Sequence, residues 1–259
     1  MKKLIMILSI NAALLLGGNA AAQDMPAGAL VNHVSCSLHD GVTMPQVVAW
    51  ARSIPRNGPQ PLAEFYREAA VNPNFMQNYD FLIATYYQSY SHIVEVVGSQ
   101  NNAPANRLQS AVRAQDLYTC NPASNVLIAN RTVSPENDGF TGDTTVMHTR
   151  FCRLAEGNDI EDAWAFVTRI EQNYKDAGNS SLMQLWSREL GPIPIDAMEN
   201  TGSGVTITVV PATPQDWGTR WDLGRNGFDP LARTNNPFMA CNYPAVWLTH
   251  AVYRSPAPQ

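Results

Sequence analysis

The sequence predicts an α+β fold made of two copies of one module, and three observations support this. The hexapeptide CSLHDG (Cys36–Gly41) recurs as CRLAEG (Cys152–Gly157). A tryptophan-bearing apolar segment follows each hexapeptide, and a Cys-Asn pair opens a late apolar stretch at Cys120 and again at Cys241. Because these landmarks recur in the same order, we expect an internal duplication.

The first elements of each copy are a strand and a helix. Each hexapeptide cysteine is expected near the end of its strand, and Thr43 and Asp159 stand where a helix N-cap is favoured. Thr43 with Gln46 fits a capping box. Apolar residues then recur at helical spacing and predict one buried face per helix. They are Met44, Val47, Val48, Ala51 and Ile54 in the first copy, and Ile160, Ala163, Trp164, Val167 and Ile170 in the second.

The second element after each helix has two possible structures. In Pro61–Val71 the apolar residues have helical spacing, yet the segment matches Met183–Leu190, which favours a strand. We expect the strand in both copies. The next strands are rich in β-branched and aromatic residues. They are Tyr79–Tyr87 and Gly204–Ala212, followed by the variable, partly helical segments Ser89–Val97 and Thr213–Gly224 and by last strands that begin at Cys120 and Cys241.

This element order is that of the ferredoxin-like βαββαβ unit. In that unit the last strand runs antiparallel beside the first, so the end of the first strand meets the start of the last. The topology therefore predicts two disulfides, Cys36–Cys120 and Cys152–Cys241. Each closes a long loop and is expected to stabilise the fold by roughly 4–5 kcal/mol in the chain-entropy description.

The Cys-x-Leu-x-x-Gly opening, the tryptophan-bearing helix and the cysteine-led last strand also carry a family resemblance. With two ferredoxin-like units in one chain, the sequence resembles a tandem dimeric α+β barrel, the superfamily that includes antibiotic-biosynthesis monooxygenase-like proteins. It is also similar to exported bacterial proteins of unassigned function. The resemblance implies an intrachain barrel or sandwich; some members oxidise substrates or degrade haem, but no motif here carries their catalytic residues over.

The first residues predict a secretory signal peptide over residues 1–22. Lys2 and Lys3 precede the short apolar run Leu4–Leu16, and small residues lead to a cleavage site near Ala22. We therefore expect a periplasmic or secreted protein, with the first repeat over 23–133, a polar linker over 134–145 and the second repeat over 146–259. An even number of cysteines in an exported chain fits disulfide formation.

The charge composition restricts the classes of partner that the protein is expected to bind. The formal net charge is −5, and Lys175 is the only lysine beyond the signal peptide. Nucleic acid and anionic lipid both require clustered positive charge, so neither is expected as a partner. We expect no membrane span after the signal peptide and no cofactor. The sequence does not determine the oligomeric state, and a monomer is compatible with it.

The candidate site residues are His148, Arg150, Trp247 and His250. Strand alternation places His148, Arg150 and Cys152 on one face, where the first copy has the neutral Asn32 and Val34. His250 aligns with Asn130. A metal site is not expected, because the predicted pairing separates His148 and His250 along the strands. Hydrolase, P-loop, zincin and dinucleotide-binding signatures are missing from the sequence.

Three functions fit these features. The first is an exported, disulfide-stabilised protein that binds a small ligand or partner in the inter-repeat barrel. The second is a cofactor-independent monooxygenase-like or isomerase-like enzyme, with His148 as base and Arg150 as anion anchor. The third is a structural protein of the cell envelope.

Overall fold

The computed structural model describes residues 25–71, 79–101, 114–134, 139–179, 181–191, 204–228 and 238–256. The predicted signal peptide and residues 135–138 of the predicted linker lie outside these ranges. The described strands are β1 (Ala29–Leu38), β2 (Ala63–Val71), β3 (Phe81–Tyr87), β4 (Tyr118–Thr132), β5 (Thr144–Leu154), β6 (Leu182–Leu190), β7 (Gly204–Val210), β8 (Met239–Cys241) and β9 (Ala245–Arg254). The helices are α1 (Met44–Arg52), α2 (Tyr90–Asn101), α3 (Ile160–Asp176) and α4 (Pro214–Leu223), which continues as a π-helical turn over Gly224–Phe228.

Eight strands form a closed antiparallel barrel. Their order is β7-β6-β4-β1-β3-β2-β9-β5, and β5 closes the ring by pairing with β7. The first half therefore contributes the strand order β4-β1-β3-β2, and the second half contributes β9-β5-β7-β6. The two halves join through the β4–β6 and β2–β9 pairs. The result is a mixed α+β fold in which helices lie outside a β-barrel.

The barrel wall has an inner and an outer apolar face, because side chains alternate along each strand. Helix α1 packs on the outer face of the first half, where Met44, Val47 and Val48 join a core with Tyr66 and Phe81. Helix α3 does the same on the second half. Its core contains Trp164, Val167, Ile170, Met183, Ile207 and Val209. The inner face is packed by another cluster, which includes Phe140, Met147, Trp186, Val210, Trp247 and Ala251.

Helices α1 and α3 begin where their capping residues indicate. Thr43 and Gln46 form the expected capping box, and Asp159 forms one with Asp162. These reciprocal bonds satisfy backbone N–H groups that have no partner within the first helical turn. The predicted apolar faces are the buried faces of both helices, except that Ile54 lies beyond the end of α1.

The segment with two possible structures is a strand. Residues Ala63–Val71 pair with β3 on one side and with β9 on the other. Both rows of backbone hydrogen bonds are thus made within the sheet, which outweighs the helical spacing of the apolar residues. Phe65 and Ala69 face the barrel interior, whereas Tyr66 packs under α1 on the outer face.

The last strand of the second half differs from the single strand expected from Cys241. It is divided into β8 and β9, and both pair with β5. Residues Asn242–Pro244 separate them, and Pro244 has no N–H to continue the ladder. Asn242 bridges the break, since its amide donates to Phe151 O and its side-chain oxygen accepts from Phe151 N.

Both halves carry a disulfide where the first strand meets the last. Cys36 is bonded to Cys120, and Cys152 is bonded to Cys241. These are the pairs that the strand topology predicts. No helix in the described parts of the chain is long and apolar enough to cross a membrane.

Candidate functional site

A cleft lies between the outer face of the second-half sheet and helices α3 and α4. It encloses roughly 600 Å³ of empty space, including its open mouth. Strands β5, β6 and β7 form its floor, and the helices and the π-helical turn form its walls. The lining residues are His148, Arg150, Ile170, Tyr174, Met183, Ile207, Val209, Arg220, Trp221, Gly224 and Arg225.

His148 and Arg150 enter this cleft from the middle of β5. They are two residues apart on one strand, so their side chains lie on the same face. Both are buried, with 8% and 6% of their surface exposed. Cys152 follows on the same face and bonds to β8, which holds the end of β5 beneath the helical layer.

His148 is held in its neutral form. Burial, followed by the positive charges of Arg220 and Arg150, places the pKa of His148 well below its ordinary value of 6.5. The imidazole packs against Trp221 with ring centroids 5.2 Å apart. Its Nδ1 atom has no hydrogen-bond partner in the described structure. The side chain is therefore a neutral, incompletely bonded imidazole beside two guanidinium groups.

Arg220 is positioned by a buried ion pair that links α4 to α3. Its Nη2 donates to Glu171 Oε2 at 2.8 Å, and both side chains are 4% exposed. The guanidinium also lies over the Tyr174 ring, 3.7 Å from its centroid. Nη1 of Arg220 is buried without a hydrogen-bond partner in the described structure. One edge of this guanidinium thus remains free to donate.

Three arginines line the cleft. Arg150 lies over the Trp221 ring at 5.6 Å, Arg220 balances Glu171, and Arg225 stands exposed at the mouth. The remaining walls are aliphatic and aromatic. A flat apolar body would be sheltered by these walls while an anionic group met the arginines, since guanidinium recognises oxyanions through paired N–H donors.

A second cleft lies between α2 and the outer sheet face of the first half. Among the residues that the structure describes, neither a histidine nor an arginine lines it. Asn32 stands there at the position that corresponds to His148. Its lining residues are Asn32, Tyr87, Ile93, Val97, Asn125, Leu127, Leu190 and Gly191. The described lining of the cleft beside α3 and α4 thus includes a histidine and three arginines, and that of the cleft beside α2 includes neither residue type.

Of the four candidate residues, the structure brings only His148 and Arg150 together. Trp247 pairs with Met147, one position from His148, and consequently lies on the inner face, where its indole donates to Thr149 Oγ1. His250 pairs with Thr144 near the start of β5 and lies 3.7 Å from Glu68. The cleft is accordingly outside the barrel wall, whereas the sequence suggested a site in the inter-repeat barrel.

Glu171, Tyr174 and Arg220 were not foreseen as site residues. Glu171 carried a detectable signal, because it follows Ile170 on the apolar stripe of α3, where a lone carboxylate requires a buried partner. Arg220 lies between Trp217 and Trp221 on a short helix, and its local sequence does not indicate which partner it meets. Among the described residues, no three His, Cys, Asp or Glu side chains converge in a way that would hold a metal ion.

No family model matches the chain, and no curated protein matches it. The fold is, however, similar to that of several solved structures. A proposed monooxygenase from Fusobacterium nucleatum superposes with a TM-score of 0.53 at 10% identity, covering 88% of this chain and 94% of that one. An encapsulated DyP-type peroxidase from Mycobacterium smegmatis gives a TM-score of 0.43 at 10% identity, with coverages of 88% and 94%. An anthrone oxidase-like protein gives 0.40 at 11% identity, with coverages of 92% and 98%. At 10% identity, the likeness to the Fusobacterium structure shows a shared fold only.

Proposed function

We propose that the protein binds a planar organic anion in the second-half cleft, with Arg150 and Arg220 as anion partners and Trp221 as the stacking surface. The observation that carries this proposal is the convergence of a neutral His148 and two buried guanidinium groups on one apolar cleft. The apolar and aromatic walls, with arginines among them, suit an aromatic carboxylate. A purely structural envelope role gives no reason for placing two buried guanidinium groups beside an open cavity.

We further propose that the chain is an exported tandem of two ferredoxin-like repeats, 23–133 and 146–259. The same strand order in each half, and a disulfide at the same place in each half, support this arrangement. Two disulfides suit an oxidising compartment. In this duplication the two copies differ at these positions, with Asn32 and Val34 in the first and His148 and Arg150 in the second.

Binding is tested with 2-naphthoate and its uncharged analogue 2-naphthamide by isothermal titration calorimetry. We expect the carboxylate to bind and the amide to bind at least tenfold more weakly, because only the carboxylate brings a negative charge to the guanidinium groups and can accept from them as an ion pair. Arg150→Met should weaken naphthoate binding by roughly ten- to a hundredfold, the range for losing a hydrogen bond to a charged group.

Arg153→Met is the matched control for that variant. Arg153 is exposed near the end of the same strand and does not line the cleft, so its loss should leave naphthoate binding unchanged. Equal binding of naphthoate to wild type and to Arg150→Met would overturn the proposal. So would equal binding of the carboxylate and the amide.

A second candidate function is proton abstraction from a bound carbon acid, as in a cofactor-independent oxygenase or isomerase. The neutral state of His148 favours it, since only a neutral imidazole accepts a proton. The adjacent guanidinium groups would stabilise the carbanion or enolate that forms, and the negative charge so produced would in turn stabilise the imidazolium. The name of the Fusobacterium relative agrees with this chemistry.

Deuterium exchange at the methylene of phenylpyruvate in D₂O tests this step without requiring an oxidant. We expect exchange catalysed by the wild type and a loss of at least a hundredfold in His148→Asn, which places the first-copy residue at this position. Exchange at equal rates in both proteins would remove His148 as a base and leave the binding function standing.

A further inference from the structure

The barrel interior contains a buried arginine that the cleft does not use. Arg67 projects inward from β2 and is 3% exposed. Its Nη1 donates to His33 Nε2 at 2.7 Å, and its Nη2 donates to the Tyr86 hydroxyl. The guanidinium also lies over the Trp186 ring, 5.0 Å from the centroid. Four strands therefore converge on this one cation.

These contacts leave the charge of Arg67 uncompensated. A guanidinium stays protonated in proteins. Its partners are neutral, because burial and the charge of Arg67 itself keep the pKa of His33 well below 6.5. No acidic side chain in the described ranges forms an ion pair with Arg67. The adjacent Glu68 points to the outer face, where it meets His250.

Two polar groups on register-paired residues of the inner wall also lack hydrogen-bond partners. Nε of Arg67 is buried and unpaired, and so is Oγ1 of Thr249. Arg67 and Thr249 are directly opposite each other in the β2–β9 register. Thr249 is 2% exposed, so bulk water does not satisfy it. A burial cost of this kind requires a compensating partner.

We propose that a small monovalent anion, of the size of chloride, binds inside the barrel between Arg67 Nε and the Thr249 hydroxyl. Both groups donate hydrogen bonds to it, and its charge offsets that of the guanidinium. A water molecule in the same place would satisfy the hydrogen bonds but would leave the charge unbalanced. The site lies on the opposite face of the barrel wall from the anion cleft and is independent of the function proposed for that cleft.

The test is urea unfolding at constant ionic strength, with sodium chloride replaced stepwise by sodium gluconate, an anion too large to fit. We expect the free energy of unfolding to rise with chloride and to approach about 1.4 kcal/mol for each tenfold increase once the site is nearly saturated. Arg67→Met should lose this dependence. A wild-type stability that does not respond to chloride would mean that water alone occupies the site, and would overturn the proposal.

Two controls separate this site from others. Arg150→Met removes a cation from the outer cleft and should retain the chloride dependence; if Arg150→Met loses it while Arg67→Met keeps it, the proposal fails. Thr249→Val removes only the hydroxyl and should weaken the dependence even if Arg67→Met does not fold. In wild-type crystals grown with bromide, we expect an anomalous scattering peak beside Arg67 Nε, and its absence would also refute the site.

Discussion

Two buried histidines lie on opposite faces of the barrel wall, and both are neutral for the same reason. His33 faces the interior beside Arg67, and His148 faces the cleft beside Arg220 and Arg150. In each case burial is the main cause of a pKa well below 6.5, and the neighbouring guanidinium groups add to it. Protonation of either histidine is therefore less favourable in the folded protein than in the unfolded chain.

This predicts that stability decreases as the pH falls through about 6.5. Below that pH the histidines of the unfolded chain are protonated, whereas those of the folded chain stay neutral until the pH reaches their lower pKa. The unfolded state is therefore favoured increasingly as the pH falls through this range. Each histidine contributes up to about 1.4 kcal/mol per pH unit within that window. His148→Asn should reduce the slope of unfolding free energy against pH between 5 and 6.5, as measured by urea unfolding. An unchanged slope would show that His148 is protonated as easily in the fold as in water.

The pKa of His148 also indicates whether an anion is bound in the cleft. An anion bound beside Arg150 and Arg220 would offset their charges and raise the pKa of His148. A two-dimensional NMR titration of the imidazole signals, with and without 2-naphthoate, measures that rise directly. The inner His33 provides the internal reference, because it lies on the other face of the wall.

At the scale of secondary-structure elements, the Glu171–Arg220 pair connects α3 with α4 and shapes the cleft wall. We expect Glu171→Gln to destabilise the fold by about 3–5 kcal/mol, because it leaves a buried guanidinium without its carboxylate. The double variant Glu171→Met with Arg220→Met should recover most of that loss, since it removes both charges and keeps the volume. Urea unfolding measures both, and a single-variant cost below about 1 kcal/mol would contradict the burial of the pair.

At the scale of the whole molecule, one disulfide holds the first and last strands of each half. The bonds join residues 84 and 89 apart, so the chain-entropy description gives nearly equal stabilisation, roughly 4–5 kcal/mol each. We expect Cys36→Ala with Cys120→Ala, and Cys152→Ala with Cys241→Ala, to lower the free energy of unfolding by similar amounts.

The second of these double variants should also alter the cleft, because Cys152 holds the end of the strand that carries His148 and Arg150. Naphthoate binding should therefore weaken more in the Cys152/Cys241 variant than in the Cys36/Cys120 variant. Equal binding by both variants would show that β5 keeps its position without the disulfide.

Local features of the sequence were sufficient to predict α1, α3 and their caps. The apolar stripe of each helix and the residues Thr43 and Asp159 act within a few positions of the chain. The disulfide partners followed from the strand order of the βαββαβ unit, in which the last strand lies antiparallel beside the first. Pairing on both edges of β2, by contrast, was needed to decide between strand and helix for Ala63–Val71.

The sequence by itself determined the two helical faces, the cysteine partners and the charge difference between His148–Arg150 and Asn32–Val34. Only the tertiary structure decided that the cleft lies outside the barrel, that Trp247 turns inward, and that Arg220 meets Glu171. The physical reason is that strand alternation and sheet closure determine which face each side chain occupies. Those two properties depend on the register between strands that are far apart in the chain. A local pattern of residues does not determine that register.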